Sequence, residues 1–354
     1  MCCVRKCRYH GMVNLWLAGV LAAMAGQAWS RADDASGTAA TAAPSPIAAS
    51  SLPSSLPSPS HSPPAPAPKP ASGAAPAGSP VTVIDDAGRR IVLPAPARRV
   101  ISLSPSLTEL AFAAGGGQRL VGVAEHSDFP EAARQIPRIG DALSFQLERI
   151  LALKPDLILA WLQGNNPRQL ERLAALGVPV YYSRINRLED VATTLERLGA
   201  LLDSPARDAA DEFRHRLGRL GARDGRGADD AGNRAVRVFY QVWDRPLMTV
   251  NGRHVISDLI GRCGGVNVFA GESTLAPQIG IEAVLAAAPE AIIAAATSDD
   301  DRALDHWRRY PALPPVARDF LFLVDGDAIS RPGPRLLDAG EAICGHLEKV
   351  RRAR

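Results

Sequence analysis

Beyond residue 96, short apolar runs rich in β-branched residues alternate with segments in which apolar residues recur every three or four positions. The first pattern is typical of buried strands and the second of amphipathic helices. We expect strands at 100–103, 120–123, 157–160 and 180–182, with helices such as 106–114 and 168–176 between them. A second block has strands at 236–240, 291–294 and 320–324 and a closing helix from about Pro334. Such alternation predicts parallel sheets, so the expected fold class is α/β with two Rossmann-like βα lobes.

The segment between the two blocks has a helical pattern throughout. From 188 to 220 the apolar residues keep a spacing of three and four, and Pro205 opens a second helix, because proline is favoured in the first helical turn. We therefore expect an N-terminal lobe (81–187) that begins with a hairpin at 81–84 and 90–93, a helical connector (188–233) and a C-terminal lobe (234–354). The predicted architecture is two lobes with a ligand cleft between them, joined by a long rigid α-helix.

One segment of the first lobe reappears in the second. Residues 147–158 (LERILALKPDLI) and 281–292 (IEAVLAAAPEAI) share one pattern. In each copy a glutamate, Glu148 or Glu282, opens a short helix, a proline ends it and a strand follows. The two lobes are therefore expected to use the same βα unit in equivalent places. Alternatively, each glutamate only complements the positive end of its helix, an effect of about 0.3–1 kcal/mol.

The first eighty residues differ from the rest of the chain. A basic head with Arg5, Lys6 and Arg8 precedes an apolar run over 12–25 and small residues at Ala28 and Ser30, the pattern of a secretory signal peptide over 1–30. An uncleaved anchor is the alternative, although the run is shorter than the roughly 18–20 residues that span a membrane. Residues 31–80 are rich in Ala, Pro and Ser, so we expect a disordered linker. The body is expected in the periplasm, without the cysteine of a lipoprotein signal.

Charge and motifs narrow the possible functions. A net charge of +3 is too small to indicate nucleic acid as a partner. The body has no Gly-x-Ser-x-Gly elbow, no His-Glu-x-x-His and no paired-cysteine zinc motif, and glycines 115–117 follow a helix rather than a strand. We expect a monomeric binding protein with no cofactor of its own, not an enzyme. Cys263 and Cys344 are the cysteines of the body, and in an oxidising compartment they either form a disulfide or remain two buried thiols.

Two segments at the start of the folded part carry a family resemblance. Residues 81–89 (VTVIDDAGR) and 99–109 (RVISLSPSLTE) resemble the opening of the helical-backbone metal-receptor family, the class III periplasmic binding proteins of ABC importers. Its members bind cobalamin, ferric siderophores or haem. The similarity to the cobalamin-binding members is greatest at residues 127–130, 147–161 and 263–269. The resemblance implies capture of cobalamin or a related corrinoid and transfer to an ABC permease with its ATPase subunits, with haem or a ferric siderophore as the alternative ligand.

The resemblance also implies a ligand site. Trp161 matches a cleft position where a tryptophan faces the ligand ring, with a core position as the alternative. Asp327 and Arg331 match polar groups that contact the amide side chains of a corrin, with a structural ion pair at the cleft edge as the alternative. An aromatic ring and a few polar groups suit a large amphipathic ligand.

Two further pairs of residues match the family. Glu148 and Glu282 match two protruding glutamates of the family, one on each lobe, that dock on arginines of the permease. Cys263 and Cys344 match a disulfide of the cobalamin-binding members.

The chain departs from the family pattern at three cleft positions. Ala142 and Ala276 stand where aromatic residues are expected, and His126 stands where a phenol is expected. Phe145 or Trp243, which are close in sequence to the missing aromatics, are candidate replacements. His126 could coordinate the metal of a corrinoid or of haem, because neutral imidazole is a common metal ligand. The alternative for His126 is a surface or hydrogen-bonded side chain.

Overall fold

The computed structural model describes residues 79–221, 234–296 and 302–354. The expected signal peptide (1–30), nearly all of the expected linker (31–80) and the end of the connector (222–233) lie outside the described residues. Within the described ranges no helix is both long enough and apolar enough to cross a membrane.

The N-terminal lobe begins, as expected, with an antiparallel hairpin of β1 (Val81–Ile84) and β2 (Arg90–Leu93). Across residues 79–221 its main sheet consists of four parallel strands: β3 (Val100–Ser102), β4 (Leu120–Val123), β5 (Leu157–Trp161) and β6 (Val180–Ser183). Their order in the sheet is β4-β3-β5-β6. The helices of this lobe are α1 (Pro105–Ala113), α2 (Leu147–Ala152) and α3 (Pro167–Ala175). The strands and helices predicted for this lobe are confirmed to within one residue at each end.

The connector consists of two helices, α4 (Glu189–Leu202) and α5 (Ala206–Arg219), which pack on each other. Asp203 adopts a left-handed conformation at the end of α4, with a φ of 49°. Pro205 then precedes α5, as the sequence predicts, because proline has no N–H with which to continue the first helix. The long helical connector is therefore a pair of helices rather than one continuous helix, with the break at the position of Pro205 that the sequence predicts.

The connector touches both lobes along its path. The backbone N–H of Leu188, just before α4, donates to Oδ2 of Asp258 in the C-terminal lobe at 2.9 Å. At the other end of α4, the carbonyl of Leu201 accepts from the N–H of Ala97 in the N-terminal lobe at 2.8 Å. Arg216 near the end of α5 then reaches Asp338 of the C-terminal lobe at 2.6 Å. The two helices thus brace one lobe against the other.

The C-terminal lobe has the same architecture over 234–296 and 302–354. Its strands are β7 (Val236–Gln241), β8 (Trp243–Asp244), β9 (Leu247–Met248), β10 (Gly265–Asn267), β11 (Ala291–Ala296) and β12 (Leu321–Asp325). Its helices are α6 (Val255–Arg262), α7 (Ile281–Ala287), α8 (Pro314–Ala317), α9 (Gly326–Ser330) and α10 (Leu336–Arg352). The main sheet is parallel in the order β10-β7-β11-β12, while β8 and β9 form a small antiparallel hairpin.

The two main sheets share one topology. In each, the second strand of the lobe lies beside the first, and the third and fourth strands follow on the other side of the first. The repeated sequence segments form α2 with β5 and α7 with β11, which are the third strand of each lobe and the helix before it. The sequence repeat is therefore confirmed as a repeat of structure.

One hydrophobic core joins both lobes through the connector. Side chains alternate along the buried strands: Leu157 and Leu159 of β5 face the shared core, whereas Ile158 faces a separate core on the other side of the sheet. Val236 and Val238 of β7 face the same shared core from the C-terminal lobe. Strands that are buried on both faces explain why these segments read as continuous apolar runs.

A disulfide links Cys263, directly after α6, to Cys344 in α10, with the two Cα atoms 4.6 Å apart. It closes a loop with a sequence separation of 81 residues. We expect the double variant Cys263→Ala, Cys344→Ala to lose about 2–5 kcal/mol of unfolding free energy, because the unfolded chain regains the freedom that the loop removes. Urea denaturation measures this loss. Dithiothreitol should destabilise the wild type to a similar degree and leave the double variant unchanged; equal stability of both proteins without reductant would contradict the prediction.

His254 caps the first turn of α6, since its Nδ1 accepts the N–H of Ile256 at 3.2 Å. Burial lowers the pKa of His254 to about 4. Because this pKa is below the value of about 6.5 in an unfolded chain, stability that is present above pH 6.5 is lost as the pH falls towards 4. His254→Asn keeps an uncharged acceptor at the cap. Between pH 7 and pH 4 the wild type should lose on the order of 2 kcal/mol more stability than this variant, measured by urea denaturation; parallel losses would contradict the prediction.

Candidate ligand cleft

The carboxyl edges of the two main sheets face each other. Asp128 lies in the loop after β4 of the N-terminal lobe, and Arg331 follows α9, which itself begins directly after β12. Their side chains meet, with Nη1 of Arg331 2.5 Å from Oδ1 of Asp128. Since both residues come after the carboxyl ends of parallel strands, the two edges enclose a common cleft, the usual position of a ligand site in open α/β sheets.

An ion cluster joins the lobes at this cleft; we call Glu109, Asp128, Asp327, Arg331 and Arg335 the interlobe ion cluster. Glu109 of α1 is 3% exposed and accepts two hydrogen bonds from Arg335 of the other lobe, at 2.6 and 3.0 Å. Arg331 contacts the same carboxylate at 3.3 Å. A fork-shaped guanidinium on both oxygens of a buried carboxylate is a strong and directional contact. The cluster therefore fixes the distance between α1 and the segment that begins α10.

The opposite charges of Asp128 and Arg331 stabilise each other's ionised forms. Burial raises the pKa of Asp128, but the hydrogen bond and charge of Arg331 outweigh it and hold that pKa below its ordinary value. Burial likewise disfavours the charged form of Arg331, and the carboxylates of Asp128, Asp327 and Glu109 outweigh it, so its pKa is raised. Both shifts favour the ionised forms of Asp128 and Arg331.

Arg331 forms ion pairs with three carboxylates at the cleft. Its side chain is 9% exposed and contacts carboxylates of both lobes, including Asp327 at 3.1 Å. The side chains of Asp327 and Asp128 are 58% and 42% exposed, so both carboxylates remain partly open to solvent. Arg331 thus contacts both of these partly exposed carboxylates.

Trp161 ends β5 at the cleft edge of the N-terminal lobe and is half-buried. Its ring lies against Gly164, where an added Cβ would come within 1.9 Å of the ring atoms Cε3 and Cζ3. The turn is held by Asn165, whose Oδ1 accepts the N–H of Trp161 at 2.6 Å and whose Nδ2 donates to the carbonyls of Leu103 and Ala142. The indole also packs on the shared core, so Trp161 combines a core contact with a partly open face.

Trp243 lies at the corresponding edge of the C-terminal lobe, in β8 directly after β7. It is half-buried, and its Nε1 donates to the carbonyl of Arg245 at 2.8 Å within the same hairpin. This hydrogen bond fixes the indole with its polar edge satisfied. A tryptophan therefore stands at the cleft edge of each lobe.

His126 occupies the turn after β4 with a φ of 63°. It is half-buried, and among the described residues its imidazole has no hydrogen bond or ion pair. The described ranges also contain no group of three or more His, Cys, Asp or Glu side chains arranged to hold a metal ion.

The expectation that Phe145 replaces a missing cleft aromatic is wrong. Phe145 is 3% exposed and belongs to the core on the far side of the N-terminal sheet, with Ile101 and Leu103. The backbone explains this position, because Phe145 pairs with Gly140 in an isolated bridge and bonds through both its N–H and its carbonyl to Gln169. Ala276, the other departure from the family, is 7% exposed.

The family resemblance does not identify the full interlobe ion cluster. Glu109 and Arg335 are absent from the residues expected at the site. The sequence does carry a signal for Glu109, since it lies within the apolar pattern of α1 and a charge there needs a partner. Its partner Arg335 is 226 residues away in sequence, and patterns of local residue spacing do not predict contacts over such a separation.

The two expected docking residues occupy equivalent places. Glu148 lies in the first turn of α2 and Glu282 in the first turn of α7. Both side chains are exposed, and neither forms an ion pair within the described part of the chain.

Comparisons with known proteins agree with this architecture. A model of the periplasmic binding protein family matches residues 100–314. A vitamin B12-binding protein of Vibrio parahaemolyticus is 38% identical over 262 residues, which are 73% of this chain and 92% of that protein. The structure of the periplasmic vitamin B12 binding protein BtuF of Vibrio cholerae is 38% identical, with a TM-score of 0.66 over 72% of this chain and 98% of that chain. A periplasmic heme binding protein from Pseudomonas aeruginosa is 26% identical, with a TM-score of 0.58 over 70% and 92% of the two chains.

The family model covers more than half of this chain, and the relative from Vibrio parahaemolyticus is matched over nearly its whole length. The two-lobed α/β fold expected from the sequence is thereby confirmed. The chain belongs to the periplasmic binding protein family.

Proposed function

We propose that this chain is the periplasmic solute-binding component of an ABC importer, which captures cobalamin or a related corrinoid in the interlobe cleft and delivers it to the permease and its ATPase subunits. The relatives that are named vitamin B12-binding proteins support this ligand. The protein is proposed to work as a monomer in the periplasm, as a carrier rather than an enzyme, with the corrinoid as its cargo and no cofactor of its own.

The observation that carries the proposal is the position of Trp161. A half-buried indole, held against Gly164 at the cleft edge, offers a flat apolar surface that is already ordered before the ligand arrives. A corrin ring is large and flat, so stacking on such a surface loses little conformational entropy. Trp243 at the edge of the other lobe supplies a second aromatic surface.

Polar groups at the cleft fit the rim of the same ligand. The side chains of a corrin carry amides, and the partly exposed carboxylates of Asp128 and Asp327 are acceptors for amide N–H groups. Arg331 holds these two carboxylates in place from its buried position between them. The ligand contact expected for Arg331 is thus proposed to be indirect.

Haem is the second candidate, because the imidazole of His126 has no partner among the described residues of the cleft edge. Such a group could ligate the iron of haem or the cobalt of a corrinoid that lacks its lower base. The proposed docking of the loaded protein uses Glu148 and Glu282, whose opposite charge to the permease arginines would steer encounter and set the register more than it adds affinity.

An absorbance titration with cyanocobalamin, dicyanocobinamide and haemin in parallel tests the proposal, because each ligand reports its own axial environment. We expect saturable binding of the corrinoids at one site per chain. A corrinoid or haem spectrum that changes with His126→Ala would assign that histidine as an axial ligand, and an unchanged spectrum would exclude the assignment. Saturable binding of haemin alone would replace the corrinoid with haem, and binding of none of the three would overturn both candidates.

A further inference from the structure

Two loops in equivalent places of the lobes line the start of the cleft. We call them the N loop (140–145), which precedes α2, and the C loop (272–277), which precedes α7. Ala142 and Ala276 each lie five residues before the start of the following helix. The N loop comes after β4 and the C loop after β10, the second strand of each main sheet in chain order. Both connections therefore begin at the carboxyl edges that enclose the cleft.

The N loop is held by Asn165, which is 5% exposed and lies between β5 and α3. Its Nδ2 donates to the carbonyl of Ala142 at 2.7 Å and to the carbonyl of Leu103, directly after β3, at 2.9 Å. Its Oδ1 accepts the N–H of Trp161 at 2.6 Å. One buried amide therefore ties the N loop, the end of β3 and the turn that carries the indole to each other.

The C loop is held in a similar way by Asn251, which is 0% exposed and lies between β9 and α6. Its Nδ2 donates to the carbonyl of Glu272 at 2.9 Å. Its backbone N–H donates to the carbonyl of Leu275 at 2.9 Å, and its Oδ1 accepts the N–H of Arg253 at 2.9 Å. The C loop is therefore bonded to Asn251 at two carbonyls, one of them directly before Ala276.

The two asparagines use the atoms of their amides in the same way. In each, the oxygen accepts a backbone N–H that is close in sequence, whereas the NH₂ group donates to a carbonyl of the cleft loop. The asparagines come from different elements of their lobes, so the structural repeat does not account for this similarity. An amide is donor and acceptor at once, and a buried amide that makes both kinds of bond fixes the segments around it.

Each loop also has a second polar tie closer to the surface. In the N loop, Oδ1 of Asp141 accepts the N–H groups of Leu143 and Ser144 at 2.8 and 2.7 Å. In the C loop, the side chain of exposed Arg253 donates to the carbonyl of Ser273. A loop that is bonded in this way is already ordered, so it loses little conformational entropy when a ligand contacts it.

We infer that Asn165 and Asn251 are positioning residues for the cargo, because they hold the two cleft loops in the shape that the ligand contacts, with one loop in each lobe. The inference rests on the proposed function and adds two residues to its site. Each asparagine acts through the loop that it holds, and Asn165 also acts through Trp161. Loss of the amide donor should therefore raise the Kd, since binding must then order a loosened loop.

Aspartate variants test the inference. Asn165→Asp and Asn251→Asp keep the oxygen that accepts the nearby N–H and lose the NH₂ group that donates to the loop. Isothermal titration calorimetry with cyanocobalamin should give a Kd about tenfold higher for each variant. The double variant should show a Kd about 100-fold higher, because the two sites lie in different lobes and their effects should add as free energies.

Hydrogen exchange of the ligand-free variants reports the loops themselves. Exchange should be faster in peptides of the N loop only for Asn165→Asp, and in peptides of the C loop only for Asn251→Asp. Ser204→Ala is the matched control, since it removes a donor to the carbonyl of Ala114 at the connector. This control should lose stability and leave the Kd unchanged.

Two milder variants apply if a buried aspartate prevents folding. Asp141→Ala and Arg253→Ala remove the second tie of each loop without placing a charge in the interior, and each should raise the Kd about threefold. Faster exchange in a loop together with an unchanged Kd would overturn the inference, and so would an equal rise of the Kd in Ser204→Ala. A wild type that binds no cyanocobalamin would overturn the proposed cargo as well. When the wild type binds normally, an unchanged Kd in the loop variants counts against the two asparagines alone.

Discussion

Replacement of Glu109 by glutamine is expected to lower the free energy of unfolding by about 3–5 kcal/mol, the range found when one partner of a buried ion pair is removed. Glu109 is 3% exposed and accepts hydrogen bonds from Arg335 and Arg331 of the other lobe. The amide of glutamine keeps the shape but turns an NH₂ group towards a guanidinium. Arg335 then loses its ion pair with Glu109, and the two lobes lose a main contact across the cleft.

Two controls isolate the contribution of the buried ion pair to stability: a variant in a surface ion pair and a double variant of the buried pair. Asp305→Asn removes an exposed partner of Arg308, so urea denaturation should show a change within about 0.5 kcal/mol. Arg335→Gln should destabilise the protein, and in combination with Glu109→Gln the total loss should be smaller than the sum of the two single losses. Additive losses, or a Glu109→Gln effect as small as that of Asp305→Asn, would show that the cluster does not couple the lobes.

Trp161→Ala is expected to raise the Kd for cyanocobalamin by about 30-fold or more, which corresponds to about 2 kcal/mol, because a stacking surface of a large aromatic residue is removed. Isothermal titration calorimetry measures the change. Trp161→Phe keeps an aromatic ring and should lose much less affinity.

The variant Gly164→Ala tests whether the position of the Trp161 indole matters for binding, because it moves the indole without removing it. The added methyl group would come within 1.9 Å of the ring, so the indole must move although it is still there. We expect weaker binding than in the wild type. Thermal unfolding of each variant serves as the control, since Trp161 also packs on the shared core. Unchanged affinity in both Trp161→Ala and Gly164→Ala would exclude Trp161 from the ligand contact.

The fold is largely predictable from the sequence because its main strands are buried on both faces. Segments such as 157–160 are then apolar without interruption and stand out from their surroundings. The hairpin of β8 and β9 has strands of two residues each, too short to show any alternation. β10 is similarly short and begins with Gly265, which has no strand preference.

The candidate site is predictable only in part, for a different reason. Trp161 is the last residue of β5 and Trp243 comes just after the end of β7, and strand ends in a parallel sheet can be located from the sequence. Ion pairs between the lobes cannot be located from the sequence in this way, because Glu109 and Arg335 come together only when the whole chain has folded. For Phe145 the expectation from the sequence is wrong. Closeness in sequence to a missing aromatic does not determine which way a side chain points. The backbone bridge between Phe145 and Gly140 directs the ring of Phe145 into the core.

The central claim, that a corrinoid binds between the lobes, is tested most directly by a crystal structure of the protein grown with cyanocobalamin. The account predicts density for the corrin ring between the two carboxyl edges, in contact with the indole of Trp161 and with amide groups near Asp327. A corrinoid located elsewhere, for example in the shallow depression on the outer surface lined by Arg90 and Val178, or an empty cleft in a saturated crystal, would contradict it.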